Sequence, residues 1–164
     1  MPNHITNHIE AEPEVIQKIR NLMEDEKGEF DFNKVIPTPC NIYQGNLGKA
    51  EEEKYGKENC WYEWNIKHWG TKWNAYGYRK GDGGYKDYRN DDRNIYFETA
   101  WAMPMPVCEA LAKALSDCQF VWEYADDDVG HNCGRLIITK GDVYESDIGV
   151  SCKVCWARSL KGYE

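Results

Sequence analysis

Hydrophobic patterning begins near the first residue. In HITNHIE (residues 4–10), Ile5, Asn7 and Ile9 fall on one side and His4, Thr6 and His8 on the other, the two-residue period of a strand. The period then lengthens: Val15, Ile16, Ile19, Leu22 and Met23 recur at helical spacing behind Pro13, with Gly28 as the stop. EFDFNKVIP (29–37) reads as a second strand with Phe30 and Phe32 on one side, ended by Pro37 and Pro39. Residues 40–58 contain Gly45, Gly48, Gly56 and the run Glu51-Glu52-Glu53, and read as an exposed insertion with at most a short helix. In WYEWNIKHWG (61–70), Trp61, Trp64, His68 and Trp69 share one helical face and Gly70 ends it.

Residues 73–79 read as a strand, GDGG (81–84) as a turn within a polar, mobile 81–93 loop, and NIYFETAW (94–101) as a strand with Ile95, Phe97, Thr99 and Trp101 on one side. Pro104 and Pro106 open a second main helix whose apolar stripe is Val107, Leu111, Ala114, Leu115 and Cys118. Phe120, Trp122 and Tyr124 alternate in a strand, ADDDVGHNCG makes a polar turn, and residues 136–139 return as its hairpin partner. GVSCKVCWA (149–157) alternates Val150, Cys152, Val154 and Trp156, the pattern of a last edge strand. The order is β-α-β, an inserted helix, then β-α-β with an added hairpin strand. It describes one α+β ferredoxin-like domain over 1–164, with an antiparallel sheet, two main helices on one face and an insertion at about 40–70.

Composition adjusts this picture in four ways. Seven tryptophans, eleven tyrosines and four phenylalanines imply a core filled largely by rings. A net charge of −8 argues against a general nucleic-acid coat and against adsorption to anionic lipid, although residues 67–93 hold seven bases against four acids. No apolar run is long enough to span a bilayer and the N-terminus lacks a signal-peptide pattern, so a cytoplasmic protein without membrane contact is expected. Seven scattered cysteines then read as reduced thiols without structural disulfides.

Several strings carry a family likeness. HWGTKWNAY (68–76), FETAW (97–101), PMPVCEAL (104–111) and YADDDVGHNCG (124–134) resemble the YubB-type ferredoxin-like proteins encoded on plasmids and bacteriophages, as do the opening MPNHITNHIEA and FDFNKVIP (30–37). The family commonly reads a serine and a proline after the TAW string, where this chain has Ala102 and Met103. The resemblance implies a bacterial or phage setting and the ferredoxin-like fold. It implies no reaction, since this fold hosts enzymes, RNA binders and regulatory modules alike.

Candidate chemistry divides three ways. The tryptophans read mainly as core, with the contact surface at the basic rim and the 79–93 loop: Lys67, His68, Trp69, Lys72, Trp73, Arg79, Lys80 and Trp101 are the binding candidates. The leading function is then a non-enzymatic mobile-element accessory protein that binds a host or phage protein, with acidic surfaces suited to countering a host defence system. The alternative is a small nucleic-acid-binding domain using 67–93, in which bases stack on rings and lysines meet phosphates; no RNP1-like string supports RRM-type reading. Third stands a zinc or enzymatic protein, with His131, Cys133, Cys152 and Cys155 as residue types that suit zinc. An alternating strand would, however, point Cys152 and Cys155 to opposite faces. Asp126, Asp127 and Asp128 read as a solvated turn, and His4 and His8 as surface residues or partners of neighbouring carboxylates. No G-x-S-x-G, P-loop, H-E-x-x-H or dinucleotide fingerprint occurs.

Overall fold

The computed structural model describes residues 1–79, 81, 84–85, 88–149 and 151–163. Five strands form one antiparallel sheet in the order β2-β1-β3-β4-β5: β1 (His4–Glu10), β2 (Asn94–Ala100), β3 (Gln119–Asp126), β4 (Gly134–Thr139) and β5 (Asp142–Ser146). The helices are α1 (Pro13–Met23), α2 (Lys49–Tyr55), α3 (Trp61–His68), α4 (Met105–Ala114) and α5 (Lys153–Lys161). β2 and β3 flank β1 and are joined through α4, the split β-α-β unit of a ferredoxin-like α+β fold. No described helix is long and apolar enough to cross a membrane.

Alternation along the strands sorts the two faces. Ile5, Ile9, Ile95, Phe97, Phe120, Trp122, Leu136 and Ile138 form one face, closed by Ile16, Ile19 and Met23 of α1 and Val107, Leu111 and Ala112 of α4, all buried. Ala112, not Ala114, completes the α4 stripe, and Ala114 is exposed. Phe97 sits among rings, stacked on Phe30 at 4.6 Å between centroids and edge-on to Phe32 at 6.1 Å and Trp122 at 5.7 Å. Side chains of this size contribute about 1.5–3 kcal/mol each when fully buried. Asn7, the polar position within the apolar face of β1, is satisfied by Thr99 Oγ1, the Ile5 carbonyl and the Trp122 indole N–H.

Two expected strands do not form. Within residues 29–37 only Phe30 makes an isolated bridge, to Glu24, and Phe32–Lys34 is a short 3-10 helix. The cause is local: Asp31 Oδ1 accepts the Asn33 backbone N–H, and the Asn74 side chain both accepts the Phe32 N–H and donates to Asp31, so side chains take the groups a ladder would need. Of residues 73–79, only Tyr76 pairs along the free edge of β2, with Glu98, before Gly77 turns the chain at φ 67°. Residues 149–157 also depart from the expected pattern. Instead of an edge strand, Cys152 caps α5, whose Ala157, Leu160 and Lys161 are buried against the second sheet face; residue 150 lies outside the described set. The edge strand is β5, reached through Lys140 and Gly141 at φ 53° and 80°, the backbone of a two-residue hairpin turn.

The remaining elements follow the patterning. α2 lies in the 40–58 insertion with no buried residue, and α3 buries Trp64. Gly70 ends α3 at φ 77°, and a Cβ there would stand 2.9 Å from Pro106 Cδ, so glycine lets the end of α3 meet the start of α4. Cys152 and Cys155 are joined as a disulfide, which overturns the expectation of reduced thiols for this pair.

Candidate binding surface

The β2 strand ends at Ala100, and the next residue turns outward. Trp101 has φ 74°, a left-handed backbone unusual for a large side chain, so it leaves the alternation that would have placed its ring beside Thr99. The conformation is held from three sides: its N–H donates to the Asn3 carbonyl (3.0 Å), its carbonyl accepts from Asn132 Nδ2 (3.1 Å), and Thr71 Oγ1 donates to the Ala100 carbonyl (2.7 Å). The same Thr71 anchor positions Lys72 and Trp73. Lys72 Nζ lies 4.8 Å from the ring centroids of both Trp73 and Trp101, which are 37% and 41% exposed. Tyr62 of α3 meets Trp101 edge-on at 6.0 Å. The result is an outward-facing platform of two indoles with an ammonium held between them.

A groove of about 540 Å³ runs beside Trp73, walled by Pro39, Ile42, Trp61 and Trp69. Its carboxamides have partners already: Asn65 Nδ2 donates to the Lys72 carbonyl, and Asn74 bonds Asp31 and the Phe32 N–H.

The other binding candidates are dispersed. Trp69 is buried, its indole N–H donating to the Ile36 carbonyl. His68 stacks on Trp64 and donates through Nδ1 to the Trp64 carbonyl, and Lys67 lines with it a separate cavity of about 270 Å³. Arg79 pairs with Glu29 at 3.3 Å, and Lys80 lies outside the described residues. Within the 81–93 loop, Tyr85 is buried with its hydroxyl near Thr6 and Glu98, and Arg89 lies 3.8 Å over the Tyr96 ring and donates to the Leu160 carbonyl, while Gly81, Tyr88 and residues 91–93 are exposed. Residues 82, 83, 86 and 87, which include part of the expected GDGG turn, lie outside the described set.

These inward residues belong to a polar network on the second sheet face, beneath α5. His8 bonds Glu123 Oε1 (3.2 Å) and Asn94 Oδ1 (2.7 Å) and stacks on Tyr96 at 4.2 Å. Glu123 Oε2 accepts from Arg135 Nε (3.0 Å) and from the Trp156 indole N–H (3.2 Å). Burial alone would raise the Glu123 carboxyl, but hydrogen bonds and charge from His8 and Arg135 outweigh it and hold the group below the ordinary glutamate range. Lys161, its side chain 2% exposed, reaches Asp127 Oδ1 (2.8 Å), the His4 carbonyl (3.0 Å) and Thr6 Oγ1 (3.2 Å). Asp127 is thus an anchor for α5 rather than a solvated turn residue. Sequence signalled little of this network beyond His8 on the polar side of β1, because its members lie far apart in the chain and meet only when the sheet forms.

The residues of the zinc reading do not converge. Cys152 and Cys155 are bonded to each other, Cys133 is half-buried beside Ala125 and Trp156, and His131 is exposed in the β3–β4 turn. Among the described residues, no three or more His, Cys, Asp and Glu side chains are arranged to hold a metal ion.

Fold and sheet order define a ferredoxin-like α+β protein. Residues 68–153 match the family model described as the ferredoxin-like domain in Api92-like protein, more than half of the 164-residue chain, and the chain belongs to this family. No curated protein and no solved structure matches it.

Proposed function

We propose that the protein is a binding module of a plasmid or bacteriophage, and that it docks a host or phage protein through the platform of Lys72, Trp73 and Trp101. The resemblance of its motifs to YubB-type proteins supports the mobile-element setting, in which a component of a host defence system is one class of target. The observation that carries the reading is the pair of exposed indoles fixed around Lys72. Tryptophan and tyrosine dominate interface hot spots because a large, stiff ring gains contact area at little entropic cost. Here the rings are already ordered, one of them by a left-handed backbone whose strain persists in the free protein.

A nucleic-acid ligand is the second reading, favoured by the ammonium between two stacking surfaces. The arginines of the basic segment weigh against it: Arg79 and Arg93 pair with Glu29 and Glu12, and Arg89 is committed to Tyr96 and Leu160, so phosphate contacts would have to break these interactions. The test is capture of partners from a bacterial lysate, with and without nuclease, by the wild type and by the Trp73→Ala/Trp101→Ala double variant, followed by titration of the identified partner. A protein retained regardless of nuclease and bound at least about 30-fold more weakly by the variant is expected, the scale of losing a hot spot. Retention that nuclease abolishes would transfer the site to nucleic acid, and equal binding by the variant would remove the platform from the account.

A further inference from the structure

We propose that Cys152 and Cys155 form a redox-active dithiol–disulfide couple, a site for thiol–disulfide exchange separate from the tryptophan platform. The pair occupies the N-terminal turn of α5, with Cys152 as the capping residue and Cys155 one turn in. Cys155 is exposed and Cys152 partly so, which leaves the bond open to an attacking thiolate. A bridge between residues three apart in one helical turn ties no second element to the sheet and closes too short a loop to constrain the unfolded chain much, so structural stapling gives it little to do. α5 is instead held to the sheet from Trp156 onward, by the Trp156 indole on Glu123, by Ala157 and Leu160 and by Lys161.

The surroundings suit a leaving thiolate. Cys152 Sγ accepts the Cys155 backbone N–H at 3.1 Å, the helix start points its unpaired N–H groups the same way, Lys153 follows directly, and the first turn holds no acidic residue. The buried cysteines differ: burial raises the thiols of Cys60 and Cys118 and pushes Cys108 up to about 12. The exchange begins when the thiolate of a dithiol substrate attacks the exposed Cys155 sulfur. A mixed disulfide forms as the Cys152–Cys155 bond breaks, and Cys152 leaves as the thiolate that the Cys155 N–H and the helix start receive. The second substrate thiol, deprotonated, attacks its own sulfur in the mixed disulfide and releases Cys155. The substrate dithiol is oxidised to a disulfide and the protein pair is reduced to a dithiol, two electrons and two protons having moved, and a disulfide substrate runs the sequence backward.

The experiment uses the full chain and begins with the wild type. Equilibration in mixtures of reduced and oxidised glutathione, acid quench and intact-mass analysis after thiol alkylation should give a reversible two-electron transition confined to the peptide containing 152 and 155. In the Cys155→Ser variant, checked for folding by circular dichroism, Cys152 should alkylate at pH 6.5 at least tenfold faster than the exposed Cys40 in the same molecules. Cys155 in Cys152→Ser should react no faster than Cys40. A pair that stays in one redox state across all mixtures, or a Cys152 that reacts no faster than Cys40, overturns the proposal. The wild-type titration decides the matter even where a variant fails to fold.

Discussion

Glu123→Gln removes one negative charge from beneath α5 without changing the shape of the side chain. Glu123 is 8% exposed, and its carboxylate meets His8 Nδ1, both Arg135 Nε and Nη2 (3.0 and 2.9 Å), and the Trp156 indole N–H. A carboxamide can keep its oxygen on Arg135 and Trp156 and turn its N–H toward His8 Nδ1, because His8 Nε2 already donates to Asn94 Oδ1; what the substitution removes is the negative charge beside the Arg135 guanidinium. Breaking a buried pair from one side costs about 3–5 kcal/mol where the remaining charge has no access to water. Arg135 keeps 30% of its side chain exposed and recovers part of its solvation, which brings the expected loss to about 2–4 kcal/mol. At about 2–4 °C per kcal/mol for a chain of this length, Tm should fall by about 4–16 °C, and urea unfolding should show a lower midpoint with the same slope. The pH dependence gives a second reading. Because the Glu123 carboxyl is held below its unfolded value, its contribution is complete above about pH 4.3 and is lost as pH falls through the folded value. The wild-type advantage should therefore be full at pH 7 and shrink below about pH 4. A difference under about 0.5 kcal/mol at pH 7, measured against the ~1 kcal/mol of an ordinary neutral hydrogen bond, or one undiminished at pH 3, would refute the network as an electrostatic clamp.

Two further outcomes follow from local geometry. With φ at 74°, residue 101 favours glycine, so Trp101→Gly should be more stable than Trp101→Ala by about 1 kcal/mol in chemical denaturation; the reverse order would show that the left-handed backbone carries no strain. Cys108, fully buried with its thiol pushed up to about 12, should resist maleimide at pH 8 until the protein unfolds, while Cys40 labels at once; equal labelling of the two in the native state would contradict the packing of α4.

The elements legible in the sequence were those whose residues bury one side against a common core. β1, α1, β2, α4, β3 and β4 each carry a two- or 3.6-residue period, interrupted in β1 by the buried Asn7 and in α4 by the exposed Ala114, and the structure forms each of them close to where the pattern does. The failures have a shared cause in polar side chains that take over backbone hydrogen bonding or in glycine. Asp31 and Asn74 dissolve the strand expected around Phe32, and Gly77 limits the 73–79 pairing to one bridge. At 149–157 a two-residue alternation concealed a helix whose signals lay further on: Ala157 and Leu160 three apart, and Gly162, left-handed at φ 77°, as its stop. The Lys140-Gly141 pair was the missed hairpin signal for β5. Of the binding candidates, Lys72, Trp73 and Trp101 could be named but not joined, since the ring of Trp101 reaches Lys72 only because its backbone leaves the strand.

The family match makes this joining more than a local detail. Residues 68–153 contain the platform together with β2, α4, β3, β4 and β5, but not β1, the strand between β2 and β3 that hydrogen-bonds to both. Without β1, the facing edges of β2 and β3 and the Ile5–Ile9 side of the core lose their partner, so the matched segment that holds Lys72, Trp73 and Trp101 depends on the N-terminal segment to complete its sheet. The link is direct at Trp101, whose N–H is held by the Asn3 carbonyl, and at Asp126, which accepts from the Asn3 side chain and from Asn132, the residue that bonds the Trp101 carbonyl. α5 completes the arrangement from the opposite face, with Lys161 bonding both the His4 carbonyl and Asp127. Three segments distant in sequence thus converge on the same end of β1, and that convergence holds the left-handed Trp101 backbone that sets the two indoles around Lys72.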